Sequence, residues 1–253
     1  MVLDDFQLAG QVAIVTGCNT GLGQGMACAL AQAGADIVGV NRTDPADTRR
    51  QVGALGRRFL DLRADLSDIA CIGGLVAQAV ALSGRVDILV NNAGIIRRED
   101  AIDFTEKDWD EVIDLNLKTC FFFSQAVARQ FMAQGTGGKI VNVASMLSFQ
   151  GGVRVPSYAA SKSGVTGITR LLANEWASHG IQVNAIAPGY MVTNNTAALR
   201  ADETRNAAIL ARIPAGRWGT PADLAGPVVF LASRASDYVN GYTVAVDGGW
   251  LAR

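Results

Sequence analysis

A tyrosine and a lysine four residues apart, Tyr158 and Lys162, are the side chains in this sequence best suited to acid/base chemistry. On a helix that spacing puts both on one face, about one turn from each other. A phenol has a reference pKa of about 10. A neighbouring ammonium favours the phenolate and draws that value toward the working pH. Such a tyrosine can take a proton from an alcohol or give one to a developing alkoxide. A helix-face tyrosine beside a solvated lysine would look the same in isolation, so the elements around the pair must decide between the two.

Those elements begin with Val12-Ala13-Ile14-Val15, a short apolar run read as a buried strand. Thr16-Gly17-Cys18-Asn19-Thr20-Gly21-Leu22-Gly23 follows, then an Ala-rich helical stretch from Gln24 to Ala33 that Gly34 can stop, then a second strand, Ile37 to Val40. This is a βαβ unit. The glycines are spaced G-x-x-x-G-x-G rather than G-x-G-x-x-G, but the physical logic is shared. Small residues let backbone N–H groups approach a pyrophosphate at a helix N-terminus, where the helix dipole favours anions. A plain glycine-rich turn is the alternative, and the position directly after the first strand argues against it.

The alternation continues along the chain. Further strands are expected at Phe59 to Leu62 (ending near Asp65-Leu66), Val86 to Val90 (running into Asn91-Asn92-Ala93-Gly94), Lys139 to Val143 (ending at Ala144-Ser145), Val183 to Ala187 (ending at Pro188-Gly189) and Thr243 to Val246. Helices are expected from about Ser67 to Leu82, from Glu106 to Gln134, and from the Tyr158 region to about Ser178. This pattern predicts one α/β domain over residues 1–253, a doubly wound Rossmann-type fold with a seven-stranded parallel sheet flanked by helices. In such sheets ligands bind at the carboxyl ends of the strands, and every unusual motif here sits at one. The irregular stretch 191–217, with Asn194-Asn195 and several charges, reads as a substrate lid.

Composition narrows the class. The 253 residues are 49% hydrophobic and 18% charged with a net charge of −1, which allows a sizeable core. No run of five basic residues occurs, so nucleic acid is not expected as a partner. The four cysteines, at 18, 28, 71 and 120, form no C-x-x-C pair. They read as reduced thiols of a cytoplasmic protein, with no metal site. No signal peptide and no apolar run of about 18 residues is seen, so no membrane span is expected.

Taken together, the motifs resemble those of the short-chain dehydrogenase/reductase family, in the family's order and over nearly the whole chain. They are the glycine loop, Asn91-Asn92-Ala93-Gly94, Asn116, Ser145, Tyr158-x-x-x-Lys162, and Pro188-Gly189 with Thr193 beyond. The resemblance implies a Rossmann domain, a nicotinamide cofactor and a homotetramer. It implies that Tyr158 is the general acid/base, that Lys162 lowers its pKa and meets the nicotinamide ribose, and that Ser145 bonds the substrate oxygen. Asn116 would help hold a water leading to Lys162. Gly17, Asn19, Thr20, Gly21, Leu22 and Gly23 would cradle the pyrophosphate, Asp65 and Leu66 flank the adenine, and Asn92, Ala93 and Gly94 face the adenosine side. Pro188, Gly189 and Thr193 would hold the carboxamide. At the end of the second strand Asn41-Arg42 stands where an acidic residue would select NAD. Arg42 suits the 2′-phosphate of NADP, while the glycine loop has Thr20 where NADP-preferring members often carry a basic residue.

Several stretches are also similar to members of the family that act on deoxy-keto sugar acids and use mainly NAD. They include Ile96-Arg97-Arg98-Glu99-Asp100, the segments 145–152 and 154–158, Gly189 to Thr196, and the tail Asp247 to Arg253. An arginine binds a carboxylate through two parallel hydrogen bonds, which makes Arg97, beside Arg98, and Arg154 candidates for a sugar-acid carboxylate. A surface ion pair with Glu99 or Asp100 is the alternative. Gln150, Asn194 and Asn195 are candidates for the hydroxyls. The expected reaction is hydride transfer between a nicotinamide and a secondary alcohol or ketone of such an acid. A 3-oxoacyl reductase or a neutral-sugar dehydrogenase stands second, and a non-catalytic dinucleotide sensor third. His179, the only histidine, is expected to cap a helix beside Gly180. Trp250 and Phe121-Phe122-Phe123 are expected to pack or to meet another subunit.

Overall fold

Short apolar runs alternate with helical stretches along the chain, and the backbone follows that alternation. The computed structural model describes residues 1–253. Its elements run β1 (Val12–Thr16), α1 (Gly21–Gln32), β2 (Asp36–Asn41), α2 (Ala46–Ala54), β3 (Phe59–Arg63), α3 (Ile72–Ser83), β4 (Ile88–Asn91), α4 (Glu106–Ile113), α5 (Thr119–Gln134), β5 (Gly138–Val143), α6 (Pro156–Trp176), β6 (Ile181–Pro188), α7 (Ala197–Ala201), α8 (Glu203–Arg212), α9 (Ala225–Ala232) and β7 (Thr243–Val246). The strands form one seven-stranded sheet in the order β3-β2-β1-β4-β5-β6-β7, with every pairing parallel.

β1 is buried from end to end, as a strand covered on both faces must be. Ala13 and Val15 pack with Met26 and Leu30 of α1 and with Val228 and Leu231 of α9. Val12 and Ile14 point the other way, onto Leu75 and Val76 of α3 and Phe123, Val127 and Phe131 of α5. One strand thus nucleates both hydrophobic layers. Its neighbours in the sheet are β2 and β4. The order reverses at β1, so a crevice opens beyond the carboxyl ends of β1 and β4, where doubly wound sheets bind ligands.

Three features depart from the expected pattern. α2 was not foreseen, because it buries only Thr48 and Val52 and is otherwise polar. The single helix expected from Glu106 to Gln134 is α4 and α5 joined by a π-helical turn, Asp114–Lys118; the turn keeps the chain helical but shifts its phase. The segment 191–217 holds α7 and α8, and its base is closed by a bridge between Met191 and Gly219.

Candidate active site

α1 begins without a cap. Thr20 makes no side-chain capping bond and no acid stands in the first turn, so the first N–H groups and the positive end of the dipole are left for an anion. The loop before it admits little but glycine. Gly17 has φ +63°, and a Cβ on Gly23 would lie 2.3 Å from the Gly17 carbonyl oxygen and 2.4 Å from Asn92 Nδ2. Thr16 ties this loop to the turn after β4. Its Oγ1 accepts from the N–H groups of Asn92 at 2.9 Å and Ala93 at 3.0 Å. Asn92 Nδ2 in turn donates to the carbonyls of Thr16 at 2.9 Å and Gly17 at 3.0 Å.

A cleft of about 450 Å³ lies over these turns, within the usual range for ligand sites. Gly17, Asn19, Thr20, Gly21, Leu22 and Gly23 form one wall, Asn92, Ala93 and Gly94 the floor, and Asp65 and Leu66 the far end. Tyr158 and Lys162 line the near end, with Thr193, Asn194 and Asn195 of the segment 191–217. The cradle a Cβ would fill, the uncapped helix and the volume of the cleft fit a dinucleotide.

At the far end the two residues after β2's core part company. Arg42 lines the cleft with its side chain 74% exposed, and its Nη1 lies 3.8 Å from Asp65 Oδ2. Thr43 joins it there, its Oγ1 accepting from Asn19 Nδ2 at 2.8 Å. Asn41, expected on the cleft, is instead buried beneath the glycine loop near Gly39 and Cys18. Successive strand residues face opposite ways, and Arg42 takes the cleft side. Asp65 accepts from the Ser67 backbone at 3.0 Å and hydroxyl at 2.8 Å. These bonds, with Arg42, hold its carboxyl below the ordinary range.

A second cavity, of about 150 Å³, adjoins the near end and shares Tyr158, Thr193 and Asn195 with the first. Ser145, Pro188, Gly189 and Arg98 line it. α6 starts with Pro156 in its first turn, a position where the missing N–H costs nothing, and presents Tyr158 and Lys162 on one face. Lys162 is 5% exposed and has no acidic partner; its Nζ donates to the Val143 carbonyl at 2.6 Å and lies 5.7 Å from the Tyr158 ring centroid. Burial pushes its ammonium down to about 8. Burial pushes the Tyr158 phenol up, while the Ser145 hydroxyl and the Arg98 charge pull it back. Asn116 stands in the π-turn behind the cleft. Its Oδ1 accepts from Ile95 N at 2.9 Å, and its Nδ2 donates to Ile95 O at 2.9 Å and Ser161 Oγ at 3.3 Å. It clamps the turn after β4 to α6.

Three of the residues expected to meet substrate are placed elsewhere. Arg97 turns back to α4, pairing with Glu111 at 2.7 Å and Asp108 at 3.5 Å. Arg154 sits at φ +63° on the surface, paired with Glu99 at 3.0 Å and Asp100 at 3.1 Å, so the ion-pair alternative describes it. Gln150 accepts from Trp250 Nε1 at 3.1 Å. Asn194 and Asn195 do line the cleft. Arg98, named beside Arg97 but not among the substrate candidates, has no acidic partner and donates only to the Asn195 carbonyl, at 3.2 Å. The signal was present in Asp108 and Glu111, which lie eleven and fourteen positions after Arg97 and occupy it. Trp250 is a packing residue, 4% exposed, and His179 lies in a short turn ended by Gly180 at φ +70°.

The chain is similar to known proteins over its whole length. A family model described as enoyl-(acyl carrier protein) reductase matches residues 17–251. The 2-dehydro-3-deoxy-D-gluconate 5-dehydrogenase of Escherichia coli K12 is 71% identical over 253 residues, which is 100% of both chains. A crystal structure with bound NADP, described as a 2-deoxy-D-gluconate 3-dehydrogenase from Agrobacterium tumefaciens, superposes with a TM-score of 0.93 at 56% identity, covering 98% of this chain and 99% of that one. The gluconate 5-dehydrogenase of Burkholderia cenocepacia, in complex with NADP and tartrate, superposes at 0.95 with 39% identity over 100% of both chains. With the fold, the dinucleotide cradle and the tyrosine–lysine pair already in place, these likenesses make the chain a member of the short-chain dehydrogenase/reductase family, a nicotinamide-dependent oxidoreductase acting on CH–OH groups.

Proposed function

We propose that the chain interconverts a secondary alcohol and a ketone of a deoxy-keto sugar acid, in the manner of a 2-dehydro-3-deoxy-D-gluconate 5-dehydrogenase. The observation that carries this reading is Arg98, an arginine with no carboxylate partner that opens into the small cavity beside Ser145 and Tyr158. Arg98 is exposed but lines the cavity that holds the reacting groups; a guanidinium so placed suits an anionic substrate, and it ill suits the apolar chain of an acyl thioester. Names of the similar proteins, and the tartrate in one of them, support the same class.

The residues then take distinct roles. The bound nicotinamide supplies or accepts the hydride. Tyr158 gives its proton to the oxygen of the ketone as it becomes an alkoxide, or takes it from the alcohol in reverse. Ser145 donates to that oxygen and stabilises charge developing there. Lys162, held by the Val143 carbonyl, supplies positive charge at the near end of the cleft, where the nicotinamide ribose would lie. Asn116 is a positioning residue. Arg98 anchors the carboxylate, and Asn194 and Asn195 meet hydroxyls as 191–217 closes as a lid. Arg42 favours NADP over NAD: it stands at the adenosine end, no carboxylate of β2 faces the cleft, and the two similar crystal structures hold NADP. Partly exposed Trp109 and Phe122 on α4 and α5 support a homotetramer, and four free cysteines support a reducing, cytoplasmic setting.

The test is reduction of a 5-keto-3-deoxy sugar acid followed by loss of NADPH or NADH absorbance, for the wild type and Arg98→Leu. The variant is expected to raise KM for the acid about 10- to 100-fold, the worth of a charge-assisted bond, with a smaller change on an uncharged ketone. Turnover of neutral or acyl ketones alone would overturn the substrate assignment and leave the hydride chemistry standing.

A further inference from the structure

Gln150 lies between Ser145 and Tyr158 in sequence but faces away from both. Its Oε1 accepts two bonds, from Trp250 Nε1 at 3.1 Å and from Arg212 Nη2 at 3.4 Å. Arg212 ends α8, has no acidic partner, and lays its guanidinium 4.1 Å over the Trp250 ring. The other side of this junction is aromatic. Tyr190 meets Trp250 at 4.8 Å and Trp218 at 5.3 Å between ring centroids, both edge-on. Arg253 reaches from the tail to the Ala211 carbonyl at 2.6 Å. Three separate parts of the chain meet here: the loop that leads from Ser145 to Tyr158, the last turn of the lid helix, and the C-terminal tail.

We propose that Gln150, Arg212 and Trp250 form a latch that holds α8 against the catalytic loop, and that the latch thereby sets the position of the segment 191–217, which lends Met191, Thr193, Asn195 and Thr196 to the small cavity. Gln150 is then a positioning residue rather than a substrate ligand. A cation stacked on an indole face is favourable and geometrically specific, and a single amide oxygen receiving both N–H groups ties the stack to the loop. With the latch open, α8 is released while the glycine loop and the tyrosine–lysine pair keep their places. Substrate affinity should therefore move more than dinucleotide affinity. This rests on reading 191–217 as a lid over the proposed site, but one of its readouts needs no substrate.

The test compares Gln150→Leu, which removes the acceptor, with Gln150→Glu, which keeps it. Full-length protein with NADP bound is digested with trypsin, following cleavage after Arg205 and Arg212, and sugar-acid kinetics are measured in parallel. Gln150→Leu is expected to speed cleavage about fivefold or more and raise substrate KM about tenfold, with kcat and the NADP dissociation constant within twofold. Gln150→Glu is expected to match the wild type. Trp250→Phe, which keeps the ring but loses the N–H, should fall between them, and it decides the matter if Gln150→Leu does not fold. Cleavage unchanged in both Gln150→Leu and Trp250→Phe would overturn the latch whatever the substrate proves to be. Faster cleavage with KM unmoved on an active substrate would overturn its role in the site.

Discussion

Replacing Lys162 by methionine should stabilise the cofactor-free protein while destroying its catalysis. The ammonium is buried without an acidic partner, and its pKa falls from 10.5 to about 8. At 1.36 kcal/mol per unit, holding the charge there costs the fold about 3 kcal/mol at neutral pH. Methionine has nearly the same length and no charge, but it forfeits the 2.6 Å bond to the Val143 carbonyl, which returns about 1–2 kcal/mol. The net gain is about 1–2 kcal/mol, a melting temperature about 2–8 °C higher for a chain of this size. The pH dependence identifies the cause. Below about pH 8 the lysine is charged in folded and unfolded chains alike, so the full cost is present. Between about pH 8 and 10.5 the folded protein sheds the proton while the unfolded chain keeps it, and the wild type regains the difference. The advantage of the variant should thus shrink across that window. Thermal melts without cofactor at about pH 7, 9 and 10.5, alongside NADPH-linked turnover, give the readout. A variant melting at or below the wild type at pH 7, or a gap that stays flat with pH, would refute the account of Lys162 as a desolvated, unpaired charge.

Four further outcomes are expected. Gly23→Ala should weaken NADP binding at least about tenfold in a fluorescence titration, since its Cβ would fall 2.3 Å from the Gly17 carbonyl oxygen and the loop must open to admit it. Tyr158→Phe should cut turnover by about 10²- to 10⁴-fold while leaving NADP affinity within about threefold; persisting turnover would remove Tyr158 from its role. Arg42→Ala should lower NADP affinity about tenfold or more and leave NAD affinity nearly unchanged, as measured by paired titrations. Arg154→Ala should leave KM and kcat within about twofold of wild type, because exposed ion pairs contribute little; a large rise in KM would return Arg154 to the substrate site.

The strands, the glycine loop and the tyrosine–lysine pair were legible because each is written in a local pattern: runs of β-branched residues, glycine spacing, a four-residue step on one helix. What escaped the sequence is set by geometry that no local pattern encodes. α2 buries too little to show an apolar stripe. The π-turn at Asp114–Lys118 preserves helical composition and only rotates Asn116 inward. Asn41 and Arg42, or Arg97 and Arg98, are adjacent in sequence, and which of each pair faces the cleft depends on strand phase in one case and on the acids of α4 in the other. Arg154 looked best placed because its loop leads into α6, yet two neighbouring carboxylates hold it at the surface. The common thread is competition for partners. An arginine becomes available to a substrate when the fold gives it no acid, and among the three arginines that the sequence set near the site only Arg98 meets that condition. On α8 neither Arg205 nor Arg212 pairs with a carboxylate, and the charge of Arg212 rests on an indole face instead. Arg98 at the small cavity and Arg212 at the junction of α8 with the tail are thus both free of an opposite charge, one open to a ligand and the other held by a ring.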